Sequence, residues 1–162
     1  MSRTFLNRLC GVLLCLLGAC TPTATAQDSG LQQKGSPPEI LVPRDGQRVG
    51  EGNDPLCPEA PKACYKIRVE GRVPDGLTPF LGVEPVLVSP MTWIQPSIRG
   101  VRGDGSFSGL VYIGQENKGM EEYFKIYALA CKDAERLHEG DQLHQLPKDC
   151  LVSEPVEVFR VR

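Results

Sequence analysis

The segment YKIRVEGRV, residues 65–73, is the clearest strand in the chain and decides its fold class. Its side chains alternate, with Tyr65, Ile67 and Val69 on one side and mostly charged residues on the other. Successive side chains of a strand point to opposite faces. The alternation therefore predicts an antiparallel sheet with one buried face and one face in water.

Residues 121–131, EEYFKIYALAC, carry apolar side chains on both faces, which predicts a central strand. Further short apolar runs between residues 39 and 161 bring the count to seven or eight strands. The 17 glycines and 14 prolines favour turns over long helices, and only one helical turn is suggested, near residues 134–138 of the polar insertion 132–150. Residues 39–162 are therefore predicted to form an all-β domain, an immunoglobulin-like antiparallel β-sandwich.

Seven cysteines divide by position, and four of them, Cys57, Cys64, Cys131 and Cys150, lie in the predicted domain. In an oxidising compartment four thiols favour two disulfides. Three pairings are possible, and the local pairs Cys57–Cys64 and Cys131–Cys150 are preferred because they close the shortest loops. Zinc is the alternative, since two histidines lie between Cys131 and Cys150, but the spacings are not those of zinc sites. No metal ligands and no cofactor are predicted.

The N-terminus has the parts of an export signal: basic residues, an apolar run from Leu9 to Leu17, and small residues before Cys20. The run is shorter than the roughly 20 residues that cross a bilayer. Leu17-Gly18-Ala19-Cys20 resembles the lipobox of bacterial lipoproteins. The resemblance implies that residues 1–19 are a signal peptide that is removed and that Cys20 carries fatty acyl chains such as palmitate. The alternative is an ordinary secretory signal with an incidental cysteine.

Residues 20–38 are predicted to be a lipidated, flexible tether. They are rich in Thr, Gln, Gly, Ser and Pro, and such a composition buries too little apolar surface to offset the entropy of ordering. Residues 21–38 would reach roughly 20–25 Å as a coil. Thr21 follows Cys20 where enterobacterial lipoproteins retained in the inner membrane carry Asp. The predicted location is therefore the cell envelope, with the outer membrane favoured over the inner membrane.

The region 39–131 resembles a group of bacterial surface and immunity-linked β-sandwich modules that includes prokaryotic YEATS-like domains. The matching elements are ILVP (40–43) followed by DG (45–46), VEG (69–71), WIQP (93–96), DGSFSG (104–109) leading into VYIG (111–114), and the alternating run FKIYALA (124–130). The resemblance implies a β-sandwich. Eukaryotic relatives read acylated lysine with loop aromatics, but no such cage is assigned here, and the insertion after Cys131 departs from the pattern.

No catalytic motif is recognised, and the chain is predicted not to be an enzyme. The segment GSFSG (105–109) has the wrong order for a nucleophile elbow and no helix after it. The net charge of the whole chain is −2, and loss of Arg3 and Arg8 with the signal would make it −4. With no basic stripe, nucleic acid is excluded as an expected partner.

Trp93 is the only tryptophan of the chain, and two interpretations of it are open. Packing in the sandwich core is favoured. The alternative is a binding surface formed with Met91 and Gln95.

The predicted function is that of a non-catalytic binding or interaction module. It would be held at the membrane by the lipid on Cys20 and would recognise an unknown envelope protein or glycan. Two alternatives stay open: a hydrolase or transferase acting on envelope polymers, and a structural subunit of an envelope or secretion assembly.

Overall fold

The computed structural model describes residues 35–162 except 51–53, 58–63, 89, 99 and 117. These described residues contain β-strands, turns and bends but no helix, and therefore no helix able to span a membrane. The ten strands are β1 Glu39–Val42, β2 Gln47–Val49, β3 Lys66–Arg72, β4 Thr78–Pro85, β5 Thr92–Ile94, β6 Ser106–Tyr112, β7 Glu122–Cys131, β8 Gln142–Leu143, β9 Leu151–Val152 and β10 Val156–Arg160.

The strands form two sheets, a small one of three strands and a large one of seven. The small sheet has the order β1-β3-β6, and the large sheet has the order β2-β10-β7-β4-β5-β8, with β9 also paired to β7. These orders correspond to strands A-B-E on one sheet and G-F-C-C′ on the other, as in immunoglobulin-like sandwiches. The predicted all-β sandwich is confirmed. All pairs are antiparallel except β2 with β10, which run parallel.

The main core lies between the two sheets and is built by the alternation seen in the sequence. Ile67 and Val69 of β3 are fully buried there, in the same cluster as Phe124 and Ile126 of β7. The charged side chains that alternate with them on β3, Arg68, Glu70 and Arg72, face outward. Complete burial of each aliphatic side chain contributes roughly 1.5–3 kcal/mol, so this inter-sheet layer is the main source of stability.

A second, smaller core lies on the outer face of the large sheet, and it explains why β7 is apolar on both faces. Leu129 and Cys131 of β7 point outward and pack with Leu137 from the insertion between β7 and β9. The Cys131–Cys150 disulfide ties the two ends of this insertion together. The expected helical turn is absent: residues 134 and 135 form a turn and residue 136 a bend. Leu137 packs in the second core and the short strand β8 pairs with β5, so both hold the segment against the sheet.

Both predicted disulfides are confirmed. The sulfur atoms of Cys57 and Cys64 are bonded, as are those of Cys131 and Cys150. Cys57 and Cys64 are buried and join the inter-sheet core just before β3.

Candidate binding groove

The groove exists because the two sheets differ in width. The small sheet ends at β6, whereas the large sheet continues from β4 to β5 and β8. Trp93 is paired directly with Val83, so their side chains share one face of the large sheet. Val83 belongs to the inter-sheet core. Trp93 therefore faces the same interior, but at a position where no strand of the small sheet covers it.

The resulting groove has a volume of about 1000 Å³, the upper end of the range usual for ligand sites. One wall is the β4–β5 hairpin, with Val83, Val88 and Met91. The opposite wall is the segment between β6 and β7, with Met120 and the glycines around it. Apolar side chains from both walls thus converge on one concave surface.

Two of the three residues proposed as a binding surface line this groove with exposed side-chain area. Trp93 is 40% exposed, so the favoured interpretation of core packing was wrong. The reason is tertiary, because the residue has the strand position of a core residue but no covering strand. Met91, the residue before β5, also lines the groove and is half-buried.

Gln95 also lines the groove, but its side chain is buried and already has partners on both sheets. Its amide nitrogen donates to the Trp93 carbonyl oxygen at 3.0 Å, and its amide oxygen accepts from the Tyr112 backbone N–H at 2.7 Å. It therefore joins the large sheet to β6 at the closed side of the groove. The Gln95 side chain is therefore not free to bind a ligand, because both ends of its amide group are hydrogen-bonded to the backbone of Trp93 and Tyr112.

The wall between β6 and β7 is held by Arg160, which is only 1% exposed. One terminal nitrogen, Nη1, donates to the carbonyl oxygens of Ile113 at 3.1 Å, Gln115 at 2.8 Å and Lys118 at 2.6 Å. A single guanidinium nitrogen thus contacts three backbone carbonyl oxygens of the irregular segment between β6 and β7. Burial lowers the pKa of Arg160, and the nearby carboxylate of Glu122 opposes that shift.

Glycines let the wall approach the arginine closely. Gly114 and Gly119 both have positive φ, 97° and 80°. A Cβ at Gly114 would stand 2.8 Å from the Arg160 Nη1 atom and would also meet the Lys118 carbonyl oxygen. Only glycine tolerates both the positive φ and the close approach of Arg160 and Lys118. The bend of this wall therefore requires glycine at position 114.

The rim of the groove is apolar on one side and charged on the other. At the tip of the β4–β5 hairpin, Leu87 is 76% exposed and Val88 is 70% exposed. Across the groove, Glu121 and Glu139 are exposed carboxylates. Two exposed aliphatic side chains thus lie at the tip of the hairpin that forms one wall of the groove.

Of the remaining sequence-predicted sites, Cys20 lies outside the described residues. The sulfur atoms of Cys131 and Cys150 are used in a disulfide, and the intervening His138 has its Nδ1 atom 3.9 Å from Asp141 Oδ2 on the surface. Among the described residues, no group of three or more His, Cys, Asp or Glu side chains is arranged to hold a metal ion.

Sequence reasoning missed the wall residues Tyr112, Met120 and Arg160. The sequence gives one indication for Tyr112, because it is a large aromatic residue on the face of an alternating strand that is otherwise expected to be in water. Arg160 sits in an alternating β-run where a charged residue is expected to face water. Its spacing of two residues from the buried Val158 places it on the inward face, but nothing local indicates the loop carbonyl oxygens that accept its hydrogen bonds.

Comparison with known proteins identifies no relative from which a role for this groove could be inferred. The chain matches no known protein family, no curated protein and no solved structure.

Proposed function

We propose that this chain is a membrane-anchored bacterial lipoprotein whose β-sandwich is a non-catalytic binding module, with the groove beside Trp93 as its recognition site. The observation that carries the proposal is the exposure of Trp93 on the inner face of the large sheet, within an apolar groove of about 1000 Å³. Large aromatic side chains in concave, partly covered sites supply most of the energy of typical interfaces.

The anchor is proposed from Leu17-Gly18-Ala19-Cys20. Two or three acyl chains, each contributing about 0.8 kcal/mol per buried methylene, hold a protein at a membrane far more stably than one chain does. A tether over residues 20–38 would then keep the groove at high local concentration for partners in the envelope. Outer-membrane residence is the favoured location.

The position of the groove within the sandwich supports this arrangement. Glu39 pairs with Arg72 at the end of the sandwich where β3 finishes and β4 begins. The groove lies toward the opposite end, where β4 finishes at Pro85 and β7 begins at Glu122. The eight residues of β4 separate these ends by about 25 Å. A tether entering at Glu39 would leave the groove unobstructed.

Site-specific photocrosslinking in living cells tests the binding role. A benzoylphenylalanine in place of Val88, at the groove rim, is expected to give discrete covalent adducts in the envelope of a diderm bacterial host. The matched control replaces Leu41, which is exposed on β1 away from the groove. Adducts that are absent from position 88, or equal at both positions, would refute a groove-directed binding function.

The anchor is tested separately in the same cells. Cys20→Ala is expected to remove the protein from the detergent phase on phase partitioning, because no acyl chain is attached. Unchanged partitioning of Cys20→Ala would refute the lipid anchor.

A further inference from the structure

We infer that the hairpin between β4 and β5 inserts its tip shallowly into the surface of a lipid bilayer. This inference rests on the lipid anchor of the proposed function, because the anchor keeps a bilayer within reach of the hairpin. It is independent of what occupies the groove. Three features carry it: an aliphatic tip, a stretch of sequence without charge, and aromatic side chains just behind the tip.

The tip of the hairpin carries the most exposed large apolar side chains among the described residues. Leu87 and Val88 are 76% and 70% exposed, whereas the next most exposed, that of Tyr123, reaches 45%. Leu87 does not line the groove. Proline at positions 85 and 90 restricts the backbone on either side of the tip. The tip therefore projects from the surface as a constrained apolar turn.

The hairpin belongs to a stretch of sequence without any charged residue. Residues 85–98, PVLVSPMTWIQPSI, contain no Asp, Glu, Lys or Arg, although charged residues make up 23% of the chain. The polar side chains of Thr92 and Gln95 within this stretch are buried. Charged side chains are costly in hydrocarbon, whereas the rim of a protein interface is polar. An uncharged, projecting tip is therefore better suited to lipid than to a protein partner.

Aromatic side chains lie behind the tip on both faces of the large sheet. The Val86 N–H donates to the Tyr123 carbonyl oxygen at 3.0 Å, so Tyr123 lies beside the base of the tip. Tyr123 is on the outer face, where its ring centroid is 4.7 Å from that of Phe159. Trp93 is on the inner face, paired with Val83. Tyrosine and tryptophan favour the boundary between hydrocarbon and water. From tip to sheet the order is thus aliphatic and then aromatic, as a bilayer surface requires.

The tether proposed over residues 20–38 is long enough to allow this contact. Glu39 and the hairpin lie at opposite ends of β4, about 25 Å apart. The tether would reach roughly 20–25 Å as a coil and at most roughly 60 Å when extended. A domain anchored through Cys20 can therefore rest with the hairpin on the bilayer. Because the anchor raises the local concentration of lipid, insertion of only two side chains is sufficient.

The charges beside the hairpin nearly balance, which determines the kind of bilayer that it contacts. The segments across the groove supply three carboxylates and three cations, which are Glu121, Glu122 and Glu139 against Lys118, Arg160 and Arg162. Anionic headgroups attract surfaces with an excess of basic residues, and there is none here. Insertion is therefore expected to be driven by the apolar tip and to be equal in neutral and anionic bilayers.

A fluorescent label at the tip tests the contact in the full, lipidated chain. Cys57, Cys64, Cys131 and Cys150 are all used in disulfides, so Leu87→Cys supplies a free thiol for nitrobenzoxadiazole. In phosphatidylcholine vesicles its emission is expected to shift to the blue and to be quenched by doxyl-labelled lipid, because the label enters the acyl region. The matched control is the label on Leu41→Cys, an exposed leucine on β1 away from the hairpin, which is expected to show neither change.

The natural tryptophan gives a second readout without a label. Trp93 is the only tryptophan of the chain, and its emission is expected to be quenched by lipid brominated near the headgroup end of the acyl chains. Leu87→Ser with Val88→Ser is expected to reduce this quenching roughly threefold or more, because the tip loses its apolar surface. The control pair Leu41→Ser with Val101→Ser, also exposed, is expected to leave it unchanged. Replacing part of the phosphatidylcholine by phosphatidylglycerol is expected to have no effect.

The inference is overturned if the label at position 87 behaves as the label at position 41, if the serine pair at the tip leaves the quenching of Trp93 unchanged, or if quenching appears only with anionic lipid. In each of these cases, flotation of the chain with vesicles through Cys20 and adducts from position 88 in cells would still uphold the proposed function. If the natural chain does not float with vesicles, the proposed anchor fails, and this inference fails with it.

Discussion

Replacing Arg160 by Met tests whether one buried guanidinium holds the groove wall in place. Methionine keeps a similar length and apolar stem but has no charge and no donor. The substitution removes the three hydrogen bonds from Nη1 to the carbonyl oxygens of Ile113, Gln115 and Lys118. Arg68→Met, on the exposed face of β3, is the matched control.

The size of the effect follows from two opposing costs. Nη1 carries only two hydrogens, which the three contacts share, so the cost is counted at the acceptors: three carbonyl oxygens lose their partner, at roughly 1–3 kcal/mol each. Against this, the Arg160 Nε and Nη2 atoms are buried without hydrogen-bond partners among the described residues. Each such atom costs roughly 1–3 kcal/mol, which methionine relieves. The net loss in the free energy of unfolding is expected to be about 2 kcal/mol.

Urea unfolding followed by the fluorescence of Trp93 measures this loss directly. The midpoint for Arg160→Met is expected to fall while the slope stays the same, because the unfolded surface is unchanged. Arg68→Met is expected to lie within about 0.5 kcal/mol of the natural chain. If Arg160→Met is as stable as the natural chain or more so, the cost of burying the guanidinium outweighs its hydrogen bonds, and Arg160 does not stabilise the groove wall.

Three other perturbations probe separate parts of the fold. Gly114→Ala is expected to cost about 2–3 kcal/mol of unfolding free energy, because alanine at this positive φ is strained and its methyl group meets the Arg160 side chain; a loss below 0.5 kcal/mol in thermal unfolding would contradict this. Replacing Cys131 and Cys150 together by Ser is expected to cost about 3 kcal/mol and to speed hydrogen exchange in the insertion; unchanged exchange there would show that the second core alone holds it. Burial, the charge of Glu84 and its 3.2 Å hydrogen bond raise the pKa of Tyr127 to about 12. The stabilisation from this tyrosine should be complete below pH 10, the usual pKa of tyrosine, and should be lost as the pH rises through about 12. Tyrosinate absorbance measures the titration, and Glu84→Gln should move it toward its ordinary value.

The local sequence determined the features that depend only on side-chain alternation and on loop length. The period of two in residues 65–73 established β3, and the apolar residues on both faces of 121–131 identified a central strand. The choice of Cys57–Cys64 and Cys131–Cys150 followed from the shortest loops and was confirmed. These inferences succeed because each pattern reports a property of neighbouring residues.

Only the tertiary structure decided what lies across from each strand. Trp93 shares a face of the large sheet with the buried Val83 but is exposed, because the small sheet ends at β6 and none of its strands covers Trp93. Arg160 has the residue type of a surface position but is buried, because three carbonyl oxygens from a distant loop surround its Nη1 atom. Burial depends on partners far along the chain, and the local pattern of a strand does not contain them.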